Sequence, residues 1–264
     1  AAAMGCDAVK FQLFTIETLF APEILARSPE HRARAAWELP PAFIPEIALR
    51  CYERDVQFIC TPFSLQAVED LVSYVDSFKI ASYELVWHDL LKACAQTGKP
   101  VILSTGMATL PEIRHAVETL YTAGVADLTV LHCCSGYPTP VIESNLKAIQ
   151  TIRQGLRWFA DPFPVGWSDH TASPAVVLRA VHHWGASMVE FHLDLDGQGD
   201  EFKAGHCWLP AQISPVIATI REGERADGDG VKTLQPSEEA DRAWRRDPSD
   251  GLRPTLAMRE AWRM

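Results

Sequence analysis

One unit recurs along this chain and restricts it to a single class of fold: a short β-rich run, a polar residue at its end, then an amphipathic stretch of helical period. The runs occupy 7–14, 56–60, 78–82, 100–104, 128–133, 164–168 and 187–193, with helical segments such as 65–75, 86–97, 110–123, 142–155 and 173–184 between them. The runs are apolar enough to be covered on both faces, which predicts a parallel α/β sheet. Right-handed crossovers would curl that sheet into a TIM-type (β/α)8 barrel.

A closed barrel needs eight strands, and the sequence displays seven. The opening Ala1-Ala2-Ala3-Met4-Gly5-Cys6-Asp7 reads as the end of a helix turning into a strand. The expectation is therefore an N-terminally incomplete barrel over 1–221, lacking its first strand and most of its first helix. Beyond it the composition turns charged and turn-rich, through Asp227-Gly228-Asp229-Gly230 and Asp247-Pro248-Ser249-Asp250-Gly251. Residues 222–264 are predicted to be a loop-rich tail with one short helix near 238–245.

Charge and cysteine usage exclude several function classes. A formal charge of −10 argues against general affinity for nucleic acid or an anionic membrane, both of which need clustered Lys and Arg. No apolar run approaches a membrane span and the start lacks the layout of a signal peptide, so a cytoplasmic protein is expected. The 7 cysteines form no regular framework and read as reduced thiols.

Barrel active sites are built at the C-terminal edge of the strands, so polar residues there are the candidates. Lys10 and Gln12 alternate with apolar neighbours and share one face. An inward lysine needs a partner, either an anionic ligand or a structural carboxylate. Thr61 ends the next strand, and Lys79 and Ser82 bracket the third. Ser104-Thr105-Gly106-Met107 adds hydroxyls and a glycine turn whose amides can approach a phosphate; Ser135-Gly136-Tyr137-Pro138 adds small donors and a rigid tyrosine. With Ser168, these residues describe a cradle for a phosphate and a carboxylate. His170 in Val165-Gly166-Trp167-Ser168-Asp169-His170-Thr171 and His192 in Val189-Glu190-Phe191-His192 end consecutive strands, with Asp169, Glu190, Asp194 and Asp196 nearby. Two strand-end imidazoles suit Mn²⁺, Mg²⁺, Co²⁺ or Zn²⁺. Cys133-Cys134 reads as packing or pocket lining, and His206-Cys207 as isolated from other ligands, with a place in the pocket left open.

From Gly5 to Pro210 these motifs, including Asp7-Ala8-Val9-Lys10-Phe11-Gln12, Thr61-Pro62-Phe63, Leu103-Ser104-Thr105-Gly106-Met107 and Gly166-Trp167-Ser168-Asp169-His170-Thr171, resemble the sialic acid synthases. That family includes the N-acetylneuraminate, legionaminate and pseudaminate synthases. The resemblance implies a TIM barrel that condenses phosphoenolpyruvate with an N-acetylated hexosamine, giving a nine-carbon 3-deoxy-2-keto sugar acid and phosphate. It implies phosphoenolpyruvate-binding roles for Lys10, Thr61, Lys79, Ser82, Ser104 and Ser135, with Tyr137 near the sugar and His170 and His192 as ligands of a divalent metal. Mn²⁺ is the first choice, with Mg²⁺ or Co²⁺ as alternatives. Lys10, Tyr137 and Glu201 are the expected catalytic residues, Asp200 being the alternative to Glu201, and a homodimer is the expected assembly. The sequence departs from the family in lacking the N-terminal strand with its catalytic glutamate and the C-terminal antifreeze-like domain, for whose arginine Arg253 is a candidate substitute. It also carries Phe191 where a lysine is common. Alternatives are another phosphoenolpyruvate-dependent sugar-acid synthase, such as the 3-deoxyoctulosonate phosphate type, or a degenerate barrel that binds without turnover.

Overall fold

A computed structural model describes residues 1–263; residue 264, the last of the expected tail, lies outside the described residues. The chain divides into two compact units, Ala1–Gly223 and the residues from Glu224 onward.

In the first unit the described residues form eight parallel strands in sequential order: β1 (Ala8–Leu13), β2 (Gln57–Pro62), β3 (Ser77–Ile80), β4 (Val101–Ser104), β5 (Leu128–Cys133), β6 (Val165–Asp169), β7 (Val189–Leu193) and β8 (Cys207–Trp208). Seven correspond to the runs read from the sequence. The eighth is a two-residue strand, too short to carry a period, which is why periodicity missed it. Helices such as Leu65–Leu71, Leu110–Thr122 and Pro174–His182 cross between strands. Local signals set their starts: the Ser64 hydroxyl accepts from the Ala67 amide at 3.1 Å, and Thr109 with Glu112 forms a capping box ahead of Pro111.

Alternation along each strand separates two cores. Phe58, Phe78, Leu103, Val130, Val165 and Trp167 point outward into the main core between sheet and helices. The intervening residues Ile59, Ile102 and Leu131 form a second, inner cluster with Ala8 and Met188. Ala8 belongs to the first strand and Met188 precedes the seventh, so their packing against one inner cluster requires a sheet rolled upon itself. The barrel class expected from the sequence is thus present, with an apolar plug in its interior. No ladder joins β8 to β1 among the described residues. Helix Pro210–Asp227 lies across that side: Ile213, Val216, Ile217 and Ile220 pack with Met4, Phe191 and Leu193, and Arg221 donates to Asp7 at 2.7 Å.

Among its described residues the second unit holds two short α-helices, Glu239–Arg242 and Leu256–Ala261, and a 3-10 turn, Pro236–Glu238, where the sequence suggested one short helix. Asp247 organises it, accepting from the Leu256 amide at 2.8 Å and from Ser249, and Arg259 forms a two-pronged pair with Asp250.

Candidate active site

Two residues along each strand from the apolar plug, the inward positions become polar. Ala8 gives way to Lys10, Ile59 to Thr61, Ile102 to Ser104 and Met188 to Glu190; period 2 alone stacks this layer on the plug. Glu190 lies at its centre: one carboxylate oxygen is 3.4 Å from Lys10 Nζ, and the other is 3.4 Å from Lys79 Nζ and accepts from Ser168 Oγ at 2.7 Å. Burial pulls the Lys79 ammonium below its ordinary range, opposed by Glu190. Burial alone would raise the Glu190 carboxyl, but Lys79, Lys10 and the Ser168 hydroxyl outweigh it and hold the group well below the usual range. Two cations face this one carboxylate, so the cup favours an anion. Of the two partners anticipated for Lys10, the structure supplies the carboxylate.

Around this trio lie hydroxyls with unmet hydrogen-bonding capacity. Thr61 Oγ1, Ser104 Oγ and Ser135 Oγ are buried without a partner, each arrangement costing about 1–3 kcal/mol unless a ligand satisfies it. Ser82 Oγ accepts from the Gly106 amide at 3.0 Å and sits 3.2 Å from Cys133 Sγ. A Cβ at Gly106 would stand 2.0 Å from Ser135 Oγ and 2.9 Å from Ser82 Oγ, so glycine there is what lets three loops converge. Gln12 aligns with Thr61 in the β1–β2 ladder.

The histidines sit one layer further out. Asp169, fully buried, accepts from the indoles of Trp167 (3.1 Å) and Trp208 (2.9 Å), from Thr171 Oγ1 (2.7 Å) and from the Ala172 amide (3.1 Å). One carboxylate thereby ties β6 to β8 and fixes the turn that presents His170. His170 Nδ1 donates to the Cys134 carbonyl at 2.8 Å, and because a carbonyl only accepts, Nε2 carries the lone pair. Burial brings the His170 imidazole down to about 4, so it is neutral at physiological pH and fit to ligate. Its ring lies 5.3 Å from that of His192 and 4.3 Å from that of Tyr137. Burial pushes the Tyr137 phenol well above its ordinary value and keeps it a proton donor.

His192 Nδ1 meets Glu201 Oε2 at 3.2 Å, and His206 Nε2 and Cys207 Sγ lie 4.0 and 3.9 Å from that oxygen. One ligand atom from each of His192, Glu201, His206 and Cys207 falls within 4.8 Å of the others. His206 and Cys207 are therefore not isolated, correcting the sequence expectation: β8 pairs Cys207 with His192 in register. Asp194 shapes the intervening loop by accepting from the amides of Asp196, Gly197 and Gly199, which swings Glu201, not Asp200, onto His192.

The structure thus gathers Lys10, Lys79 and Ser168 on Glu190, Ser82 and Ser135 around Gly106, and Tyr137, His170, His192 and Glu201 at one rim. Sequence reasoning missed Glu190 as the hub and His206 and Cys207 as neighbours. Glu190 was findable, since it stands two residues before His192 on an inward face.

A model described as the NeuB family matches residues 1–232. The chain is 34% identical over 254 residues to N,N'-diacetyllegionaminic acid synthase of Campylobacter jejuni, covering 90% of this chain and 74% of that protein. It is 33% identical over 255 residues to the enzyme of the same name from Legionella pneumophila, covering 89% and 68%. The crystal structure of the N-acetylneuraminic acid synthetase of Leptospira borgpetersenii, in complex with citrate, superposes with a TM-score of 0.77 at 29% identity, covering 91% of this chain and 81% of that one.

Proposed function

The chain belongs to the NeuB family, and from that membership we propose that it condenses phosphoenolpyruvate with an N-acetylated hexosamine of the N-acetylmannosamine kind. The product is a nine-carbon 3-deoxy-2-keto sugar acid, and inorganic phosphate is released. The observation that carries this reading is the cup itself: two inward lysines on one carboxylate, ringed by the orphaned hydroxyls of Thr61, Ser104 and Ser135. An anion with a carboxylate and a phosphate would satisfy all of them at once.

In this reading Lys10 and Lys79 hold the two anionic groups of phosphoenolpyruvate, and Gln12, Thr61, Ser82, Ser104, Ser135 and Ser168 fix its orientation. C3 of the enol phosphate bonds to the aldehyde carbon of the open-chain sugar, whose oxygen takes up a proton to become a hydroxyl; water adds at C2 with loss of a proton, and the tetrahedral intermediate collapses to the ketone with loss of phosphate. The lysines counter the charge that builds on the phosphate as it leaves. Tyr137 and Glu201 hold the acceptor at the rim, the phenol as donor and the carboxylate as acceptor for a sugar hydroxyl. His170, which burial keeps neutral, and His192 would hold a divalent cation, Mn²⁺ first and Mg²⁺ or Co²⁺ as alternatives, which when bound supplies Lewis-acid polarisation of the aldehyde.

No helix among the described residues is long and apolar enough to cross a membrane; the cytoplasmic setting is part of the proposal. The proposed homodimer is checked by light scattering. The decisive assay follows phosphate release from phosphoenolpyruvate with N-acetylmannosamine and related acceptors, phosphorylated and not, with Mn²⁺ and with EDTA. Release that needs an N-acetylated acceptor and is stopped by EDTA is the expected result. Release only with a phosphorylated acceptor that lacks an N-acetyl group would transfer the chain to another sugar-acid synthase class, and binding without release would leave a non-catalytic barrel.

A further inference from the structure

We propose that a cation at His192 is also held by His206, Cys207 and Glu201, and that this four-donor set takes a thiophilic divalent ion of the zinc, cobalt(II) or iron(II) class in place of the Mn²⁺ that two imidazoles alone would suit. This rests on His192 being a ligand, as in the reading above, and adds His206 and Cys207, to which neither the family resemblance nor the sequence analysis gave a role, together with Glu201 in a second role. The first observation is proximity: ligand atoms of His192, Glu201, His206 and Cys207 lie within 4.8 Å of one another. Metal bonds of about 2.0–2.3 Å in a tetrahedron put donors roughly 3.3–3.8 Å apart, so shifts of about an ångström close the set. The second is the orientation of His206. The ring is only 4% exposed and turns Nε2 toward Glu201 Oε2 at 4.0 Å, too far for a hydrogen bond and close enough for both atoms to reach one ion.

Donor chemistry selects the ion. A thiolate among imidazoles favours zinc and its softer neighbours over Mg²⁺ or Mn²⁺, which prefer oxygen. Exposure divides the set into fixed and exchangeable members. Cys207 and His206 are each 4% exposed, whereas the Glu201 side chain is 51% exposed and can yield its position to a ligand oxygen. Three held donors and one replaceable position is the arrangement of catalytic, not structural, zinc sites.

The test uses the full chain, stripped with EDTA and titrated with Co²⁺ without phosphoenolpyruvate. A thiolate-to-cobalt charge-transfer band is expected in the near ultraviolet. It should vanish in Cys207→Ser, and His206→Ala should weaken Co²⁺ binding about tenfold or more. Should either variant fail to keep the wild-type circular dichroism, X-ray absorption of the zinc-loaded wild-type protein decides, a sulfur scatterer at about 2.3 Å being expected. An absent charge-transfer band, one that survives Cys207→Ser, or a shell of nitrogen and oxygen alone overturns the proposal. A sulfur shell in a chain that releases no phosphate would instead count against the synthase reading and leave this one standing.

Discussion

Glu190 is the residue on which the interior charge depends. Removing a carboxylate that pairs two largely buried ammonium groups leaves both uncompensated, so Glu190→Ala should lose about 3–5 kcal/mol in denaturant unfolding. Glu190→Gln keeps the shape and frees the lysines for an anion. Inorganic phosphate should therefore raise the melting temperature of that variant more than that of the wild-type protein; an equal shift would mean the lysines do not face the ligand. Glu84 offers a separate titration. Burial pushes its carboxyl up to about 7, against weaker pulls downward from its own backbone and Lys79, and its Oε2 has no partner. A folded-state value raised above the unfolded one means stability that is complete below the unfolded value of about 4.5 and is lost as pH rises through about 7. Glu84→Gln should flatten that part of the stability profile and stabilise the protein at pH near 8 by on the order of 2 kcal/mol.

At the scale of elements, the gap between β6 and β7 sets the distance between His170 and His192. A Cβ at Gly166 would meet the Met188 carbonyl oxygen at 2.5 Å and Leu131 Cδ2 at 2.6 Å, and a backbone oxygen cannot rotate away. Gly166→Ala should therefore cost about 1–3 kcal/mol or more in unfolding experiments and separate the two imidazoles, lowering cation affinity by more than the fold is weakened. Unchanged metal binding in a measurably destabilised variant would show that strand spacing does not tune the pair. The same scale explains what was legible in the sequence. Lys10, Thr61, Lys79, Ser104, Ser168 and His192 could be read because they sit at the ends of strands long enough to show alternation. β8 has two residues, and a loop shaped by Asp194 delivers Glu201, so no period pointed to His206 or Cys207.

For the molecule as a whole, acid should be the weak side. Glu190 in the first unit, and Asp247, lowered to about 2 by the Leu256 amide and by Ser249, both ionise more readily folded than unfolded. Such groups give stability that is present above the unfolded carboxylate values of about 4 and is lost as pH falls through the folded ones. Unfolding midpoints followed from pH 6 downward should decline most steeply below about pH 4, and a flat profile there would contradict the pairing at Glu190. The amino-acid order determined the parallel α/β class, the inward positions of the lysines and hydroxyls, and the strand-end histidines, because side chains alternate along a strand regardless of context. Tertiary structure decided the rest. Rolling of the sheet brought Lys10 from the first strand onto Glu190 of the seventh, a contact between distant segments that no local period encodes, and pairing of the two-residue β8 with β7 set His206 and Cys207 against His192.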